Sequence, residues 1–199
     1  MGNKLIKERR IFKESHVLFQ SESSEVIEAT ITSIRVNRSE LEDYPPSHPK
    51  FLYSLRPISI EATVPNVVNI MAESTRPLNF GPMAVIAGAL ADLVVELMRE
   101  VDAKIAIIEN GGEVSVHSER VFTVGLYAGR TKLAGTTDFQ IESSECPIGV
   151  ETSSATVSHA FSFGEADAAT VFADTAALAD AGATAVCNMV KSKGVGAPV

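Results

Sequence analysis

The clearest hydrophobic pattern in the chain begins after Gly81, where Pro82 occupies a first-turn position that tolerates a missing N–H. From there Ala84-Val85-Ile86-Ala87-Gly88-Ala89-Leu90 and Leu93-Val94-Val95 with Leu97-Met98 predict a helix that is apolar nearly all round for three turns. Such a helix belongs in the middle of a fold. Ala87, Gly88 and Ala89 strip bulk from it, so another backbone or a ligand can approach closely. A second Ala-rich helix is predicted with Asp174 as N-cap and Thr175-Ala176-Ala177-Leu178 in its first turn, running to around Asn188.

Between the two helices the period changes to that of strands. Lys104–Glu109 reads as a buried strand and Glu113–Val116 as its partner, joined by Asn110-Gly111-Gly112. Asn-Gly between such runs is a strong hairpin signal, because both turn residues need positive φ. Further strands are expected at 121–127 and 136–142, and a pair at 155–163 and 167–173 around Gly164-Glu165. Toward the N-terminus, residues 15–38 read as extended, with alternation from Glu28 to Val36. Three prolines in the five residues Pro45–Pro49 mark a loop. Residues 58–73 mix strand and helix signals, and the Gly/Pro-rich tail Lys191–Val199 is expected to be disordered. The expected fold is α+β, with antiparallel hairpins and sheets packed against two central Ala-rich helices. It forms one domain over residues 1–190, with an N-terminal strand region in 1–50.

Composition narrows the partners. Of 199 residues, 45% are hydrophobic and 21% charged, which suits a globular chain with one real core. The net charge of −8 gives no pull toward phosphate backbones, so nucleic acid is not the expected partner. The charge is uneven: Lys4, Lys7, Arg9, Arg10 and Lys13 face only Glu8 within residues 1–13. That head reads as a solvated first strand or frayed terminus, or as a basic arm for an anionic partner. Cys146 and Cys187 can make neither a metal cluster nor a disulfide scaffold. No apolar run follows the first charges, and the stretch Met83–Met98 is broken by Asp92 and Glu96 and is too short to span a bilayer. The expectation is a soluble, cytoplasmic protein without a membrane partner.

Three places could carry chemistry. Asp180 and Thr184 stand at i and i+4 on the last helix, offering a carboxylate and a hydroxyl on one face. That pair suits a hard cation such as Mg²⁺, which takes few protein ligands, and equally describes a solvated helix face. Ala179, Ala181, Gly182, Ala183 and Ala185 around it indicate tight packing, where a lone Asp is costly without a partner. Thr152-Ser153-Ser154-Ala155-Thr156 reads as a loop of small hydroxyl residues, either a phosphate-binding turn or a plain polar one. His159 follows in an alternating strand, as a structural histidine or a proton-transfer group. No Walker loop, GxSxG elbow, HExxH or GxGxxG fingerprint occurs.

Taken in order, five stretches resemble a known family over about residues 50–190. They are Gly81-Pro82-Met83-Ala84-Val85-Ile86-Ala87-Gly88-Ala89, Glu109-Asn110-Gly111-Gly112-Glu113, Thr152-Ser153-Ser154-Ala155-Thr156-Val157-Ser158-His159, Ser162-Phe163-Gly164-Glu165-Ala166-Asp167-Ala168 and Leu178-Ala179-Asp180-Ala181-Gly182-Ala183-Thr184. The pattern is similar to UPF0280, a branch of the ApbE-like flavin transferase superfamily. The resemblance implies a Mg²⁺-dependent scaffold on which FAD is cleaved and FMN attached to a Thr or Ser of a target protein. It implies metal ligation by Asp180 and Thr184, nucleotide contact at Gly111, Gly112, Glu113, Thr152, Ser153 and Ser154, and proton transfer by His159. Phosphoryl transfer of this kind needs charge neutralisation, in-line positioning and a base.

The chain also departs from that pattern. The flavin transferases carry Asp and Lys in a segment like Asp-Leu-Gly-x-Ile-Ala-Lys-Gly, where Gly81 and Ala87 stand here, and Ala155 replaces a loop Gly. The expected function is binding of a flavin, FAD or FMN, or another nucleotide with Mg²⁺, with phosphoryl transfer of the FMN transferase type. The alternative is a non-catalytic accessory or small-molecule-binding protein, which the resemblance links to sulfur assimilation and a protein partner. Exposed strand edges leave a homodimer open.

Overall fold

In the computed structural model, residues 4–126, 135–155 and 164–191 are described. The chain opens with a hairpin, β1 (Ile6–Phe12) and β2 (Ser15–Ser21), turned at Lys13 with φ 54°. Lys7 and Arg9 on β1 are exposed, while Arg10 pairs with Glu8 and Glu28 and Lys13 with Glu42. The basic head is thus a solvated first strand.

Residues 22–43 correct the extended reading. Ser23 caps helix α1 (Ser24–Asp43), its Oγ accepting from the Val26 N–H at 3.2 Å. The buried positions Ile27, Thr30, Ile31, Ile34 and Leu41 follow the helical period, whereas Val36, which extends the alternation, lies 48% exposed. A run of β-branched residues imitates a strand locally, but the core-facing stripe decides the conformation. The N-terminal 1–50 region is therefore a hairpin followed by a helix. The proline-rich segment leads into a short helix α2 (Pro49–Tyr53), and the ambiguous 58–73 stretch resolves as irregular chain followed by α3 (Asn66–Thr75).

Pro82 opens a 3₁₀ turn (Pro82–Val85), which passes into α4 (Ile86–Glu100). The hairpin follows as β3 (Ile105–Asn110) and β4 (Glu113–Ser118), with Gly111 and Gly112 at φ 79° and 127°. Next come β5 (Phe122–Gly125), β6 (Asp138–Ile141), β7 (Ile148–Ser153), β8 (Ala169–Ala173) and α5 (Ala176–Met189). Two details differ from the sequence reading. Thr152 and Ser153 end strand β7 instead of lying in a loop, and Thr175, not Asp174, caps α5, accepting from the Leu178 N–H at 3.2 Å. Residues 156–163 and 192–199, which carry one predicted strand, His159 and most of the tail, lie outside the described residues.

Among the described residues, six strands form one antiparallel sheet in the order β1-β2-β3-β4-β7-β8, and β5 and β6 form a separate pair. The register gives the sheet two faces. Ala106 and Ile108 of β3 face α1 and α4, packing with Phe19, Ile27, Val94 and Met98. Ile105 and Ile107 face the other way, joining Val116, Val114, Phe122 and Ile148. A further cluster ties α3, α4 and α5 together through Val67, Met71, Leu90, Ala177 and Ala181. Mixed helix and antiparallel sheet is the fold class expected from the sequence.

Candidate functional site

The position of α5 is fixed by two glycines and one carboxylate. A Cβ on Gly88 of α4 would stand 2.7 Å from the Ala176 carbonyl oxygen, and one on Gly149 of β7 would stand 2.2 Å from the Ala176 nitrogen. Only glycine lets these backbones meet, which accounts for the small residues at the start of α4. The Asp92 carboxylate accepts from the N–H groups of Ala176 at 2.8 Å and Ala177 at 2.9 Å, and from Ser115 Oγ at 2.8 Å. The first-turn donors of α5 are thereby satisfied by a negative charge at the favourable end of the helix.

One turn further along α5, Asp180 is 6% exposed and accepts from the Gly88 N–H of α4. Across from it the sheet supplies two more acids. Val114 pairs with Val150, so one step on, Glu113 of β4 stands beside Glu151 of β7 on the helix-facing side. Glu151 is 7% exposed, and the Oε2 atoms of both Glu113 and Glu151 are buried without a hydrogen-bond partner. Burial, reinforced by Glu109, raises the Glu113 carboxyl to about 7. Burial and the charge of Glu113 raise Glu151 to about 8. Asp180 is pushed well above the usual carboxylate range by burial, then by Glu113 and Glu151.

These acids border a cavity of about 1670 Å³. It brings together Gly111, Gly112, Glu113, Thr152, Ser153, Ser154, Asp180 and Thr184, so eight sequence-predicted site residues share one space. They do not share one orientation. Thr152 points to the far side of the sheet, its Oγ1 hydrogen-bonded to Thr170 Oγ1 at 2.8 Å, whereas Glu151 and Ser153 alternate toward the helices. His159 lies outside the described residues. Sequence reasoning missed Glu151 and Asp92; the signal for Glu151 was a lone acid closing the apolar run Ile148–Val150.

The departures acquire physical causes. A Cβ on Gly81 would fall 1.7 Å from the Ser54 carbonyl oxygen, so the chain's own backbone fills the space an Asp would need. Ala87 offers no cation, and its carbonyl accepts from Asn110 Nδ2 at 3.1 Å. Ala155 is not among the non-glycine residues with positive φ; its N–H donates to the Ala166 carbonyl at 2.9 Å. Arg38, which also lines the cavity, is engaged by Glu14 at 2.7 Å and Glu42 at 3.7 Å. Among the described residues, no three His, Cys, Asp or Glu side chains form a ready-made metal-binding group. No single helix there is long and apolar enough to cross a membrane.

This arrangement is the fold of the ApbE flavin transferases. The flavin transferase ApbE from Vibrio cholerae, as a point mutant, matches 95% of this chain and 88% of its own with a TM-score of 0.61 at 11% identity. The apo flavinyl transferase ApbE of Pseudomonas stutzeri matches 95% and 86%, with a TM-score of 0.55 at 12% identity. Within that class the chain belongs to the family described as "AbpE bacteria", whose model matches residues 11–197. A UPF0280 protein of Methanocaldococcus jannaschii is 41% identical over 189 residues, covering 94% of this chain and 76% of the relative. Another, from Methanosarcina acetivorans, is 38% identical over 185 residues, covering 93% and 73%.

Proposed function

We propose that the protein binds a flavin, FAD or FMN, or a related nucleotide together with Mg²⁺ in this cavity, and that the site supports phosphoryl transfer of the FMN transferase kind. The observation that carries the reading is the convergence of Asp180, Glu113 and Glu151 on one open cavity, where the Oε2 atoms of Glu113 and Glu151 are buried without a partner. Buried carboxylate oxygens without donors call for a proton or a cation. The donors fit a hard cation: Asp180 and Thr184 supply a carboxylate and a hydroxyl, as few protein ligands as Mg²⁺ commonly takes. Bound there, Mg²⁺ neutralises phosphate charge and polarises the reacting phosphoryl group.

The chain's own residues do the rest. The paired glycines at 111 and 112 let a ligand approach the β3–β4 turn. Ser153 offers a hydroxyl on the same face as the acids, and His159 takes the proton of the attacking hydroxyl. That oxygen bonds to the FMN phosphorus as the bond to AMP breaks. Because the inner acids face no cation of the chain among the described residues, nucleotide binding depends on Mg²⁺. Incubation with FAD and Mg²⁺ should release AMP, and Asp180→Ala should abolish release. If the unaltered protein shows no binding and no release, the reading is overturned.

A second reading is favoured by Gly81 and Ala87: a small-molecule-binding accessory protein that holds the nucleotide for a protein partner. Its mark is Mg²⁺-dependent FAD binding without AMP release.

A further inference from the structure

The cavity extends beyond the acidic cleft. It passes over the rim of the main sheet at the β3–β4 turn and reaches the opposite face, where Gln20, Val114, Phe122 and Val124 line it. The register fixes that placement. Gln20 stands opposite Ile107, and Ile107 belongs with Val114 and Phe122 to the cluster away from the helices. The rim itself is bare, because a Cβ on Gly112 would find nothing within 4 Å.

Gln20 is 6% exposed, and its Oε1 is buried without a hydrogen-bond partner. A buried amide oxygen is costly to leave unmade and calls for a donor. Beside it on this face Val114, Phe122 and Val124 offer a flat apolar surface, with Lys7 opposite Gln20 and Glu109 next to Val114 at its edges. The whole cavity, at about 1670 Å³, also exceeds the roughly 300–1,000 Å³ of an ordinary small-molecule site.

We propose that the ligand straddles the rim of the sheet. Its phosphates lie by Asp180 and Thr184, and a planar ring with an N–H edge enters the far chamber, where Gln20 accepts that hydrogen. This rests on the nucleotide reading above and adds where one ring of the ligand lies and which residue meets its edge.

The test is calorimetric titration with FAD, FMN and AMP, each with Mg²⁺, against the unaltered protein, Gln20→Met and Val124→Trp. FMN and AMP should bind together, and FAD tighter than either. Gln20→Met should weaken FAD and one of its halves about tenfold and leave the other half unchanged. Val124→Trp, which narrows the chamber from β5, should weaken that same half. A merely structural role for Gln20 would lower the melting temperature without separating the halves, and that result overturns the inference. Unchanged FAD binding in both variants, or FMN and AMP excluding each other, overturns it too. Absence of binding by all three probes overturns the nucleotide reading as well.

Discussion

Two groups of buried acids lie about one turn apart along α5, and they differ in what surrounds them. Asp92, at the helix foot, receives three hydrogen bonds, two from the first turn of α5 and one from Ser115. Asp180, Glu113 and Glu151, at the cavity, each receive a single backbone N–H, and two of their oxygens receive nothing. Burial raises every one of these carboxyls. Burial of an acid is therefore no guide to its role; the count of donors is. Asp92 secures the helix, and the cavity acids are left for something else to satisfy.

Breaking the foot should have the largest effect. Asp92→Ala orphans two helix N–H groups and a hydroxyl and should cost about 3 kcal/mol, on the order of 10 °C in melting temperature. A loss under about 1 kcal/mol would show that the foot is not held by this carboxylate. The cavity acids should respond to pH with the opposite sign from an ordinary paired acid. In the folded state Glu113 and Glu151 keep protons to about 7 and 8, while in the unfolded chain they ionise near 4.5. Between those limits the folded state binds more protons, so stability should fall by several kcal/mol as pH rises from about 5 to 8. Chemical denaturation across that range, without divalent cation, measures it; a flat or rising curve contradicts the contrast.

Glu151→Gln sharpens the same point. Removing one of the crowded charges should stabilise the protein by about 1–2 kcal/mol at pH 8 and flatten the pH profile, the reverse of the Asp92 result. Thr175→Ala, which deletes only the hydroxyl cap of α5, should cost about 1 kcal/mol and leave Mg²⁺ binding intact.

The hairpin at Gly111-Gly112 and the two Ala-rich helices were legible in the sequence because their signals are local: turn residues that need positive φ, and apolar positions at a helical period. Helix α1 was not, since the β-branched alternation of residues 28–36 competes with a stripe that only the core selects. Asp180 and Thr184 could be paired from their spacing alone. Glu151 could not, because its neighbour Glu113 lies 38 residues away and is reached only through the β4–β7 pairing. The need for glycine at position 81 was not legible, because the Ser54 carbonyl that imposes it is again non-local.

That last contact sets a rule for redesign. With a backbone carbonyl 1.7 Å from where a Cβ would go, position 81 cannot be given an acid by mutation there alone. Gly81→Asp would first have to displace Ser54 and Leu55, and with them the approach to residue 81 from the C-terminal end of α2. Two segments more than twenty-five residues apart are thus locked to one another, and any redesign that places a side chain at position 81 must change both together.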